Sequence, residues 1–180
     1  MILSYKELSE RGYSDYKIKK MLTQEKLFFI KKGMYSTTSD FNYLEYISKK
    51  HPNAVITLES ACYCYGLLKN NKSFYRIATK QKDRKIKDDL IKQIFMTDSL
   101  YNIGINVITY KGFKLKIYDL ERTLVEVARN KIVLSYEDYH EIMENYKKLV
   151  RLVNKEKLYN YVGCFKDSRI EKRIKKELGL

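Results

Sequence analysis

At 180 residues, with 44% apolar side chains that include 17 tyrosines and 7 phenylalanines, the chain suits one ordinary domain or two small ones and excludes a mostly disordered polymer. The net charge of +14 points to a polyanion partner, and half of it lies in residues 147–180, which hold 11 basic and 4 acidic side chains. No apolar run can span a bilayer, residues 1–6 do not read as a secretory signal, and three cysteines make no disulfide framework, so a cytoplasmic protein with no membrane partner is expected.

The excess of 28 Lys over 8 Arg has the look of an AT-rich gene, so the placement of charge says more than its sum. Lys6 to Arg11 followed by Gly12 predicts a short helix with a glycine stop. Ser14 caps a second helix ending near Glu25, with Ile18, Met21 and Leu22 on one face. Tyr16, Lys19, Lys20 and Thr23 lie opposite, with Lys17 and Gln24 at the edge. Residues 27–30 and 34–36, joined by Lys31-Lys32-Gly33, read as a β-hairpin. Helix, turn, helix and hairpin are the order of a winged helix-turn-helix at 1–38, without room before Lys6 for its usual first helix.

Ser39-Asp40 begins a helix with Leu44 and Ile47 inward, which Pro52 ends. Another helix is expected within 58–68, closed by Gly66. Residues 74–79, 91–96, 105–110 and 113–118 are candidate strands; Lys111-Gly112 turns the last two, and 80–89 is a charged connection. From Asp119 the period is helical, with Leu120, Leu124, Val127 and Ala128 in one stripe. Ser135 with Asp138 resembles a capping box, and Asn154 and Asp167 can cap two further helices. The expected class is α+β: a small winged helix, then an α/β domain at 40–180 with a short mixed sheet and C-terminal helices.

No enzyme chemistry, cofactor or metal is expected. His51 and His140 are far apart, and Cys62 and Cys64 diverge by about 200° on a helix. Cys164 lacks a partner spacing, and no Gly-rich phosphate loop or nucleophile elbow occurs. The strand-rich stretch 91–118 offers only Asp98 for a metal-dependent nuclease. The winged helix instead points to DNA. Tyr16, Lys17, Lys19, Lys20, Thr23 and Gln24 are placed to meet a major groove: lysines attract phosphate, Gln pairs with adenine, and the Thr methyl meets a thymine methyl. Lys31 and Lys32 would reach a neighbouring phosphate or the minor groove.

Two alternatives stand beside it. One is a protein-interaction module whose lysines are a solvated face. The other is an RNA-binding sheet stacking bases on Tyr75, Tyr101, Tyr110 and Tyr118. Arg169, Lys172, Arg173 and Lys176 form a second basic stripe at i, i+3, i+4, i+7, able to meet phosphate, an acidic protein or only solvent.

Three blocks occur in order: Gly12-Tyr13-Ser14 with Leu27-Phe28-Phe29-Ile30-Lys31-Lys32-Gly33-Met34-Tyr35; Ile56-Thr57-Leu58-Glu59-Ser60-Ala61 with Tyr65-Gly66-Leu67; and Ile117-Tyr118-Asp119-Leu120-Glu121-Arg122-Thr123-Leu124. Together they resemble the AbiEi-type antitoxins of type IV toxin–antitoxin, phage abortive-infection systems. Tyr65 stands where that family has a histidine. The resemblance implies an autorepressor that binds operator DNA upstream of its own operon, as a dimer on inverted repeats. It also implies a second domain that antagonises a nucleotidyltransferase-like toxin without needing a stable complex. By the same resemblance the recognition helix is 14–25, the wing is 28–35, and Glu121, Arg122 and Thr123 form a sheet-to-helix junction block. The first job of that block is structural: Asp119 caps the helix, and Arg122 pairs with a carboxylate or a chain carbonyl.

Overall fold

Ser4 sets the start of the first helix. Its hydroxyl accepts from the Glu7 N–H at 3.1 Å, while the Glu7 carboxylate accepts from the Ser4 N–H at 2.6 Å. In the computed structural model, which describes residues 1–70 and 72–179, strand β1 (Ile2–Ser4) precedes α1 (Tyr5–Glu10). Ser14 Oγ accepts from the Lys17 N–H at 3.3 Å and opens α2 (Asp15–Thr23). Strands β2 (Phe28–Lys31) and β3 (Met34–Ser36) form the wing, and β1 adds to it in the order β1-β3-β2. Helix α3 (Tyr43–Lys50) starts at Asn42, whose side chain accepts from the Leu44 N–H at 2.9 Å. Its start at Ser39-Asp40 is thereby corrected: the Thr38 hydroxyl donates to the Asp40 carbonyl at 2.9 Å and holds that stretch in a turn.

The first unit comprises Met1–Pro52 with Lys111–Leu115. Leu3, Leu8, Ile18 and Leu27 are buried together, with Tyr13, Met21, Leu22 and Tyr35 against them. Leu3 and Tyr35 are cross-strand partners, so that face of the sheet meets the helix pair. Ile2 and Met34 alternate to the other face and are buried too. There α3 packs against β1, burying Leu44 and Ile47, and the Ile2 N–H donates to Glu45 Oε1 at 2.8 Å. The unit runs beyond residue 38 because this second sheet face needs α3 to bury it.

The second unit comprises residues 53–110 and the chain from Lys116 onward. Its elements are β4 (Val55–Ile56), α4 (Leu58–Cys64), β5 (Tyr75–Lys80), β6 (Ile91–Met96), α5 (Asp98–Tyr101), β7 (Ile105–Tyr110) and, from Lys116 on, the second half of β8 (Phe113–Tyr118). Then come α6 (Leu120–Arg129), α7 (Tyr136–Leu149), α8 (Lys155–Cys164) and α9 (Ser168–Leu178). The sheet order is β6-β5-β4-β8-β7. It is mixed: β4 runs antiparallel to β5 and parallel to β8, and β5 runs parallel to β6. Lys111 at φ 44 and Gly112 at φ 89 make the two-residue turn between β7 and β8.

The four expected strands all form, while the two-residue β4 is added between β5 and β8. Helix α6 is buried on every side from Glu121 to Ala128, wrapped by α4, α8 and α9. Around it lie Leu58, Ile142, Tyr146, Leu158 and Ile174. Ser135 Oγ accepts from the Asp138 N–H at 3.1 Å, but the Asp138 carboxylate pairs with Lys72 at 2.6 Å instead of closing a capping box. The chain is α+β, with a small N-terminal winged helix, a short mixed sheet and C-terminal helices. No helix among the described residues is long and apolar enough to cross a membrane.

Candidate nucleic-acid interface

Helix α2 fully buries one side chain, Ile18, half-buries Met21 and Leu22 beside it, and exposes the rest. Tyr13, Ser14, Tyr16, Lys17, Lys20, Met21, Gln24 and Lys26 line an open depression of about 610 Å³ along it. Lys17, Lys20 and Gln24 follow i, i+3, i+7, so one helical stripe builds its floor, and Tyr13 adds to it from ahead of the helix. No acidic side chain lines it. Lys17 Nζ stands 4.3 Å from the centre of the Tyr13 ring, a cation–π contact that holds the ammonium over the depression. Tyr16 is 76% exposed. Asp15, the one carboxylate of α2, accepts from the Tyr5 hydroxyl at 2.7 Å.

The structure thus gathers Tyr16, Lys17, Lys20 and Gln24, and adds Tyr13 and Lys26, which lie outside the helix proper and so outside its periodicity. Lys19 and Thr23 are exposed but do not line the depression. The Thr23 hydroxyl donates back to the Lys19 carbonyl at 3.0 Å, as helical threonines do, so it is already engaged. On the wing, Lys32 is exposed. Lys31 instead lies over α3, its Nζ 5.8 Å and 6.0 Å from the Tyr43 and Tyr46 ring centres. The two wing lysines are neighbours on a strand end, and only one points to solvent. Phe29 is also exposed on the wing and meets Tyr35 edge-on at 6.1 Å.

The junction block has a different setting. Arg122 is fully buried; its guanidinium is 4.6 Å from the Tyr118 ring centre and 4.4 Å from that of Phe165. Its Nη2 donates to Glu126 Oε1 at 2.7 Å, and the other Glu126 oxygen accepts from the Asn130 amide at 2.9 Å. Glu121 Oε1 accepts from the Asn154 N–H at 2.9 Å, and the Thr123 hydroxyl donates to the Tyr118 carbonyl at 3.1 Å. Asp119 caps α6 through the Arg122 N–H at 2.8 Å and accepts from the Tyr161 hydroxyl at 3.0 Å. Lys157 lies 3.0 Å from Asp119 and 3.3 Å from Glu121; burial lowers its pKa, but these carboxylates outweigh burial and lift it to about 12. Tyr65 donates to the Tyr118 carbonyl at 2.9 Å, and burial raises its pKa, so it stays a donor. Glu121 and Thr123 tie α6 to the start of α8 and to β8, while Arg122 is held by Glu126 and two rings, with its Nε and Nη1 left without a hydrogen-bond partner among the described residues.

The C-terminal stripe divides in two. Arg169 makes paired 2.9 Å bonds to Asp167, and Arg173 donates to the Ala128 carbonyl at the end of α6. Lys172 and Lys176 are exposed, with no carboxylate partner among the described residues. Arg169, Lys172 and Lys176 are all exposed, and only Arg173 is half-buried. The tyrosine platform is corrected as well: Tyr101 and Tyr118 are buried, with the Tyr118 hydroxyl donating to the Tyr101 carbonyl at 3.0 Å, so neither can stack on a base. Among the described residues, no group of three or more His, Cys, Asp or Glu side chains is placed to hold a metal ion.

No protein-family model matches the chain. No curated protein matches it at the level of sequence. Among solved structures, the chain is similar to the RV2827C protein from Mycobacterium tuberculosis, with a TM-score of 0.73 over 99% of this chain and 71% of that one. The two are 13% identical, so the likeness is one of fold.

Proposed function

We propose that the chain is a DNA-binding antitoxin of the type IV, abortive-infection kind. Its first unit would act as a transcriptional autorepressor and its second would counter a nucleotidyltransferase-like toxin. The observation that carries the DNA half is the depression on α2: three lysines, a glutamine and two tyrosines converge there with no carboxylate among them. Lysines release counterions from phosphates, and Gln24 and Tyr16 are free to meet base edges. Exposed helix and exposed wing belong to one small unit, which suits a helix in the major groove with Lys32 on a flanking phosphate. The antitoxin half rests on the three sequence blocks, which run in family order through both units.

The test is binding to the duplex upstream of the chain's own coding sequence, against a scrambled duplex of equal length, across a salt series. Selective binding that weakens steeply with salt is the expected result. Lys20→Ala and Gln24→Ala should relax the choice between the two duplexes. Equal, weak binding to both would show that the +14 charge attracts DNA without reading it, and the repressor reading would fall.

A further inference from the structure

A second surface lies in the other unit. Between α6 and α7 the chain makes a 3₁₀ turn over Lys131–Val133. Ile132 on that turn is 97% exposed, Val133 is 52% exposed, and Tyr136, one residue into α7, is 76% exposed. Single exposed apolar residues are ordinary; three within five positions of a turn form a patch. Leu134, between them, is buried and anchors the turn, so the patch is held outward by a packed neighbour.

Helix α9 flanks this turn. Arg173 donates to the Ala128 carbonyl, and Glu177 lies 3.8 Å from Lys131 and accepts from the Tyr139 hydroxyl at 3.3 Å. At about 100° per residue, Lys176 sits beside Arg173 on the solvent side, and Lys172 is one turn back from it. Each carboxylate of α9 and its cap is spoken for: Asp167 by Arg169, Glu171 by Lys175 and Glu177 by Lys131. Lys172 and Lys176 have no such partner among the described residues, so this edge of α9 carries uncompensated positive charge. The nearby Glu137 is exposed and stands about 100° round α7 from Tyr136.

We infer that the α6–α7 turn and the Lys172–Lys176 edge of α9 form one docking surface for another protein, one that offers an apolar pocket rimmed by carboxylates. The occupant follows from the chemistry. Two copies of this chain would bring the same lysines face to face, and a phosphate backbone would answer the lysines but leave Ile132 and Val133 of the turn in water. An apolar centre with a charged rim is the anatomy of a protein interface. The surface stands on the second unit alone and does not need the DNA-binding reading.

The test is selection of a displayed library of random peptides on the immobilised full chain. The expected peptides combine Leu or aromatic residues with Asp and Glu. Their affinity should fall by about tenfold or more on Ile132→Asp and on the pair Lys172→Glu, Lys176→Glu, and should weaken with salt. Ile132 is almost wholly exposed, so its substitution leaves the fold intact, which a thermal melt checks. No enrichment, or peptides that bind Ile132→Asp as well as the parent, would overturn the proposal. So would duplex DNA or single-stranded RNA whose binding falls with the lysine pair but not with Ile132→Asp, or a dimer in sedimentation that Ile132→Asp dissolves. Lys20→Ala should leave peptide binding unchanged, so failure of this surface and failure of the repressor reading are told apart.

Discussion

Helices α2 and α6 are nearly equal in length, nine and ten residues, and both carry charged side chains. In α2 a single residue is buried, and Lys17, Lys19 and Lys20 stand in water. In α6 eight of the ten residues are buried, Glu121, Arg122 and Glu126 among them. A charge in water without a carboxylate beside it remains available to a polyanion. A charge at zero exposure must be matched inside the protein, as Arg122 is by Glu126 and two aromatic rings. Charged side chains on two helices of similar length thus have opposite settings, water in one and the packed interior in the other.

Substitutions should separate the two helices sharply. The largest effect belongs to α6. Glu126→Ala strips the buried Arg122 of its counter-charge and should cost about 3–5 kcal/mol in urea unfolding. Lys20→Ala on α2 should move the same midpoint by no more than about 0.5 kcal/mol. If both variants unfold alike, the contrast drawn here is wrong.

Next is Gly104, which has φ 73 and would place an added Cβ 2.6 Å from Arg122 Cβ. Gly104→Ala should destabilise the second unit by about 1–3 kcal/mol. An unchanged melting temperature would show that Arg122 is less tightly held than its packing implies.

On the DNA side, Gln24→Ala should reduce discrimination between the upstream duplex and a single-base variant by about 1–3 kcal/mol at the position it reads. Lys17→Ala should weaken all duplexes alike and lower the salt slope by about one. Lys19→Ala, outside the depression, should do less than either; a larger effect would move the contact face round the helix.

The smallest effect concerns pH in the first unit. Burial raises the Glu7 carboxyl pKa, but hydrogen bonds from Lys49 and from Ser4 outweigh it and hold the group at about 2. A carboxyl with a folded value below its ordinary 4.5 stabilises above that value, and the gain is lost as pH falls toward about 2. Glu7→Gln should flatten this acid limb of the melting curve. The limb should be shallow, because the Glu7 side chain is 38% exposed and solvent screens the pair.

Much of this was written in local sequence. Ser14, Asn154 and Asp167 are short polar side chains before apolar periods, and each caps the helix that follows. Strands of six residues show their period plainly, and β6, β7 and β8 fall at their expected positions. The three-residue β1 and two-residue β4 have too few positions for a period to show, and they exist only because β3, β5 and β8 supply hydrogen-bond partners. Tertiary structure alone decided which charges are free. Spacing put Lys31 beside Lys32 and Arg173 in line with Lys172, yet Lys31 lies over Tyr43 and Tyr46, and Arg173 closes the end of α6. A helical period reports which side chains share a face, because it follows from backbone geometry. Whether that face meets water, a ring or a carbonyl depends on segments far away in the chain, and on the cost of leaving a polar group buried without a partner.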